Sequence, residues 1–144
     1  MAEVQVREAN AGDAEVLVSL LGQMGYPNAS AQVAQRLDQY ASTGGRVWVA
    51  CAGGEVIGFL SFHTQACFHA TETLGRITAM CVDGSRRRSG AGRELIRMME
   101  KYAREVGCLR VEVTSGEHRS HEAHRFYEGN GYVRKSVRFV KSLE

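Results

Sequence analysis

One stretch of the chain combines residues that carry charge with residues that bare the backbone. It runs Val82-Asp83-Gly84-Ser85-Arg86-Arg87-Arg88-Ser89-Gly90-Ala91-Gly92-Arg93. A strand pattern from Leu74 to Val82 leads into it, and a helix pattern from about Gly90 to Val106 leads out. Glycines at a helix start let backbone N–H groups approach a ligand closely. The first turn of that helix adds roughly half a positive charge. Together they make an anion site, and phosphate is its usual occupant. Arg86, Arg87, Arg88 and Arg93 supply neutralising charge.

Other uses of the stretch fit less well. A nucleotide P-loop ends in Gly-Lys-Ser/Thr, whereas Gly92 is followed by Arg93 and Glu94, with no hydroxyl for Mg²⁺. A dinucleotide fingerprint needs three spaced glycines, and only Gly90 and Gly92 fit. Nucleic acid would ask for aromatic platforms beside the arginines, and none accompanies them. The plain alternative is a solvated arginine-rich loop.

Around this stretch the periodicity predicts the elements that must hold it. Val4 and Val6 alternate with polar residues as a first strand. Asn10 is placed to cap a helix bearing Leu17, Leu20, Leu21 and Met24 on one face, and Gly25-Tyr26-Pro27 breaks it. Ser30 is placed to cap a second helix with Val33, Leu37 and Tyr40 on one side. Val47 to Cys51 and Val56 to Phe62 are strands around a Gly53-Gly54 hairpin. After the central helix, with Leu95, Met99, Tyr102 and Val106 as its stripe and Gly107 as its stop, Leu109, Val111 and Val113 form a strand. A short helix carries Ala123, Phe126 and Tyr127, and Tyr132 to Val140 is a last strand with basic residues interleaved. The order is β-α-α-β-β-β-α-β-α-β. A strand–helix–strand unit over residues 74–113 calls for a parallel crossover in a mixed sheet with helices on both faces.

Composition sets the frame. The 144 residues amount to one domain, 1–144, with 44% hydrophobic and 24% charged residues. A net charge of +2 excludes a polycationic nucleic-acid coat. No apolar run approaches the roughly 18 residues that cross a membrane, and with no charged stretch followed by an apolar one at Met-Ala-Glu-Val, no signal peptide is expected. Cys51, Cys67, Cys81 and Cys108 lack C-x-x-C spacing and sit in apolar contexts, so a reduced, cytoplasmic protein is expected. His118, His121 and His124 recur every three residues beside Glu117, but no closed four-ligand set is visible and no metal is expected. Trp48 reads as sheet packing.

Arg87-Arg88-Ser89-Gly90-Ala91-Gly92 has the form R/Q-x-x-G-x-G/A, and Val82 ends a strand a few residues earlier. Ala123-His124-Arg125-Phe126-Tyr127-Glu128-Gly129-Asn130-Gly131-Tyr132 has the form Ala-x-x-φ-Tyr-x-x-x-Gly-φ, with φ apolar. With these two motifs in this order of elements, nearly the whole chain resembles the GNAT superfamily of acyl-CoA-dependent N-acetyltransferases. The resemblance implies an α/β (α+β) fold with a mixed, mostly antiparallel sheet, one splayed parallel strand pair and helices on both faces.

It also implies roles. Backbone N–H groups from Arg87, Arg88, Ser89, Gly90, Ala91 and Gly92, with Arg93 beyond, hold the pyrophosphate of acetyl-CoA. The strand before the loop bulges and parts from its parallel neighbour, and the pantetheine arm pairs with the backbone around Met80, Cys81 and Val82. The Met80 N–H faces the thioester carbonyl as in an oxyanion hole. Tyr127 returns a proton to the departing thiolate; a core phenol bonded to backbone is its other reading. Ser120 and Ala123 fall on the cofactor side, although Ser120 stands where many members carry asparagine, and Gly84 replaces the usual proline. Arg76 stands where histone-directed members carry a glutamate base. No base carries over from that branch; Glu72, Glu117 and His118 are candidate bases by residue type alone, with a polar connection beside the cofactor cleft as the other reading of the Glu117–Glu122 stretch.

The expected activity is direct acetyl transfer from acetyl-CoA, with no metal, to a primary amine on a small molecule or peptide. Neither nucleic acid nor membrane is an expected partner. The acceptor pocket is expected from the Gly25–Ala29 turn with Tyr26, the His63 to Glu72 segment with His69, and the strand after Tyr132. A plain hairpin loop or a homodimer contact is the alternative for that segment. A rival from another class is a non-catalytic acetyl-CoA sensor or protein-interaction module.

Overall fold

The structure is a computed structural model that describes residues 3–115 and 121–144. The chain divides after Thr114 into two compact units.

The first unit is built on a five-stranded sheet in the sequential order β1 to β5. These are β1 Val4–Glu8, β2 Gly45–Ala52, β3 Glu55–Ala66, β4 Thr73–Val82 and β5 Cys108–Val113. The first four strands pair antiparallel, and β4 pairs parallel with β5. Helix α3, Ala91–Glu105, makes that parallel connection, since a crossover needs a dozen or more residues. Helices α1, Ala14–Gln23, and α2, Ser30–Ser42, connect β1 to β2. Gly53 and Gly54 both take positive φ, 59° and 82°, as the tight two-residue turn between β2 and β3 demands.

Strand alternation splits the core into two layers. Val49, Phe59 and Cys81 meet Ala14, Leu17, Leu20 and Val33 beneath α1 and α2. On the other face, Trp48 and Phe62 pack on each other and on Tyr102 of α3, at ring separations of 5.5–6.2 Å. Leu95, Ile96, Met99 and Ala103 complete that layer. Gly75 makes room for it: a Cβ there would lie 2.8 Å from the Phe62 ring.

Caps follow the sequence closely at one helix and less so at the next. Asn10 accepts from Gly12 N–H at 2.9 Å, opening a 3-10 turn, Ala11–Asp13, that runs into α1. Buried Asp13 accepts from the Asn10 N–H at 2.9 Å and from both Arg7 nitrogens at 2.8 Å. That fork holds the Asp13 carboxyl below its ordinary range. Ser30 is not the cap of α2. Ala29 is the cap residue, and Gln32 reaches back to its N–H at 3.0 Å.

The second unit contains α4, His121–Gly129, closed by Gly131 at φ 92°. The expected last strand from Tyr132 to Val140 is not present as a strand among the described residues. Val133, Val137, Phe139 and Val140 are exposed there. Their alternation with basic residues imitates a half-buried strand, but a strand exists only where its backbone finds a ladder partner.

Candidate active site

The arginine-rich stretch is folded as a strand-to-helix connection. Asp83 extends the β3–β4 ladder by one bond, from its N–H to Ile57 O at 2.7 Å. Its carboxylate then accepts from the Ser85 N–H and hydroxyl, both at 3.0 Å, which hold it below the ordinary carboxylate range. These bonds shape the turn Gly84–Arg86, whose Gly84 N–H donates to Gln23 at the end of α1, 3.0 Å away. Arg86 turns back to Glu55 at 3.5 Å. Arg88 then takes φ 64°, a left-handed conformation that costs a non-glycine residue about 1–3 kcal/mol. Gly90 caps α3 at φ 88° with no atom within 4 Å of where a Cβ would stand. The stretch thus ends in an open helix start with exposed Arg87, Arg88 and Arg93 around it.

The strand feeding this loop has the second relevant feature. Ser61 pairs with Ala79 and Phe62 with Ile77, so Thr78 is an extra residue, a β-bulge in β4. The parallel ladder to β5 covers Thr73 to Ile77 and ends at Ile77 and Val113, where the bulge begins. Antiparallel strands alternate residues that bond their partner with residues that face away. Since Asp83 bonds Ile57, Cys81 and Ala79 face β3, and Met80 and Val82 turn their amide groups to the β5 side. This refines the expectation for Cys81. Its amide is turned to β3 and its side chain lies in the α1–α2 core.

The third feature was not singled out in the sequence. Thr78 Oγ1 lies 2.9 Å from Tyr40 Oη and 2.7 Å from Ser61 Oγ, which reaches Ala79 O at 3.3 Å. By sequence Tyr40 belongs to the apolar face of α2 with Val33 and Leu37. The only signal in the sequence was a phenol at the last position of that face.

Glu72 is not brought to this place. It lies just before β4, paired with Arg110 at 3.3 Å. Eight residues of extended strand separate it from Met80, roughly 25 Å at about 3.3 Å per residue. The expected acceptor pocket is divided in the same way. The α1–α2 turn starts beside the loop through Gln23 and Gly84, whereas His69 and Glu72 sit in the β3–β4 connection at the opposite end of β4. Arg76 is paired with Glu112 across the parallel ladder.

In the second unit, Tyr127 packs its ring against Phe126 and Tyr132, with centroids 5.4 and 6.0 Å away. The Tyr132 N–H donates to Tyr127 O at 3.0 Å, so the turn at Gly131 folds Tyr132 back onto the helix. Ala123 is on α4, one turn before Tyr127. Ser120, Glu117 and His118 lie outside the described residues. No three His, Cys, Asp or Glu side chains converge as a metal site among the described residues. No helix there is long and apolar enough to cross a membrane.

Known proteins resemble this chain in sequence and in fold. An aminoalkylphosphonate N-acetyltransferase of Salmonella typhimurium is 34% identical over 95 residues, covering 66% of this chain and 61% of that protein. The chain thus spans about three fifths of that relative's length. An acetyltransferase structure from Trypanosoma brucei aligns over 98% of this chain and 100% of its own, with a TM-score of 0.82 and 25% identity. Glucosamine-6-phosphate N-acetyltransferase of Arabidopsis thaliana shares the fold at a TM-score of 0.85 and 19% identity, covering 99% of both chains. Residues 16–132 match the acetyltransferase (GNAT) family, a span that holds the bulged β4, the arginine–glycine loop and α4, and the chain belongs to that family.

Proposed function

We propose that the protein transfers acetyl from acetyl-CoA directly to a primary amine. The observation that carries this reading is the course of β4. It continues past the end of its parallel ladder with the Met80 and Val82 amides turned to that side, then enters the open start of α3. In this reading the pyrophosphate is held by N–H groups from Arg87 to Gly92, with Arg93 nearby. The pantetheine arm lies along Met80 and Val82, and the Met80 N–H donates to the thioester oxygen as charge develops on it. The amine attacks as its neutral form. The N–C bond forms, the C–S bond breaks, the nitrogen loses a proton and the thiolate gains one. Tyr127 is assigned the return of that proton.

The Salmonella relative is named for aminoalkylphosphonates, so a small primary amine bearing an acidic group is the acceptor class proposed here. The reading takes residues 1–144 as one domain working in the cytoplasm, with its four cysteines as free thiols. Whether it works as a monomer or a homodimer is read by light scattering.

Thiol release from acetyl-CoA, measured with a panel of amines that includes 2-aminoethylphosphonate and glucosamine 6-phosphate, tests the reading. Amine-dependent release is expected. Coenzyme A binding without release for any amine would instead favour a sensor, and failure to bind coenzyme A would remove the reading altogether.

A further inference from the structure

The hydroxyls at the bulge have no role in the transfer as assigned above. Thr78 is the extra residue of β4, and a bulge re-aims the side chain it carries. It stands two residues before Met80, about 7 Å along the strand. Its side chain is directed to α2, on the sheet face opposite α3, where it meets Tyr40 and Ser61.

The polarity of this chain of hydroxyls follows from its end. Ala79 O can only accept, so Ser61 donates to it at 3.3 Å. Thr78 then donates to Ser61, and Tyr40 donates to Thr78, at 2.7 and 2.9 Å. Each of the three protons is used in that order. Tyr40 Oη, the head of the chain, keeps lone pairs that receive nothing from the other two hydroxyls.

Tyr40 is also held firmly. Its ring meets His63 edge to face at 5.7 Å and 82°. A Cβ on Gly45 would fall 2.6 Å from the Tyr40 ring, so the ring closes over a position where only glycine fits. The His63 Nδ1 donates to Thr64 O at 2.8 Å, which fixes that imidazole in turn. A phenol fixed by packing offers its oxygen at little entropic cost to a ligand.

We infer that Tyr40, Thr78 and Ser61 form the amine subsite of the acceptor, with Tyr40 Oη accepting an N–H of the attacking amine. The inference rests on the transferase reading above and adds to it the group that orients the nucleophile. An acceptor of N–H bonds suits an amine, which carries donors as ammonium and as the neutral nucleophile. The polarised chain behind Tyr40 strengthens it as an acceptor.

The test uses the full chain, with 2-aminoethylphosphonate as probe. Binding to the coenzyme A-saturated protein is followed by calorimetry, and steady-state kinetics are measured with acetyl-CoA. Tyr40→Phe keeps the ring and removes only the hydroxyl, and Thr78→Val keeps the shape. Each is expected to raise the probe Kd and the amine KM roughly tenfold, while the acetyl-CoA KM stays within twofold. Thr78→Ser restores the hydroxyl and should recover most of the loss, which a purely structural defect at the bulge would not allow. Probe affinity and amine KM within twofold of the parent in both Tyr40→Phe and Thr78→Val overturn the subsite. So does a parent that binds coenzyme A without binding the probe. Failure of the parent to bind acetyl-CoA overturns the transferase reading instead, so the two failures are distinct.

Discussion

Gly90 and Gly107 stand at the two ends of α3 with the same backbone angle, φ 88°, and neither has an atom within 4 Å of a would-be Cβ. Alanine at either position therefore meets no steric neighbour and pays only for the left-handed backbone, about 1–2 kcal/mol. For a chain of 144 residues that is a fall in melting temperature of roughly 3–6 °C. The two substitutions should thus be matched in stability. They should not be matched in ligand binding. Gly90 opens the helix start assigned to the pyrophosphate, where a methyl group pushes the anion off the N–H groups. Loss of one charge-assisted bond is worth about 1.5–3 kcal/mol, or roughly 10–150-fold in Kd. Gly107 lies at the other end of a helix of 15 residues, about 22 Å away. Thermal melts and calorimetry with coenzyme A on both variants supply the measurements. Equal coenzyme A affinity in Gly90→Ala and Gly107→Ala would refute the loop assignment. An unchanged melting temperature in both would refute the strain argument.

Three further outcomes are expected. Tyr127→Phe should lower kcat at least tenfold and leave the coenzyme A Kd within twofold, because a proton donor to the thiolate acts as charge develops; equal kcat would leave Tyr127 as packing for Phe126 and Tyr132. The carboxyl of Asp13 is held low by the Arg7 fork, so the unfolded chain binds the proton more readily. Its stabilisation is present above the ordinary carboxylate value of 3.8 and is lost as pH falls through the lower folded value, so urea midpoints of Asp13→Asn should show a shallower acid-side fall than the parent. Gly75→Ala should cost about 1–3 kcal/mol by chemical denaturation, because its Cβ would press on Phe62 inside the α3 layer.

The parts of this protein that were legible in its sequence are the local ones. Asn10, the Gly53-Gly54 turn and Gly107 mark ends whose geometry depends on a few neighbouring residues, and each sits where its type predicts. The arginine–glycine stretch belongs with these, since a strand, a turn and a helix start follow one another in the chain. The family motifs are local too, which is why the sequence alone carries the resemblance. Two local signals stand side by side at the start of α2: Gln32 reaches back to the Ala29 N–H, and Ser30 is the first helical residue, not the cap.

Only the tertiary structure decided what depends on pairing between distant segments. The 132–140 pattern reads as a strand, yet alternation specifies a face and not a partner. Glu72 is a candidate base by its type and its polar segment, and only the extended course of β4 shows that eight residues of strand separate it from Met80. The bulge at Thr78 needs the registers of β3 and β4, fixed by side chains on both. Tyr40 meets Thr78 across 38 residues because α2 lays its apolar face on the sheet and leaves its one phenol over the bulge. No periodicity within either segment encodes that meeting, because it is set by how the helix and the sheet pack together.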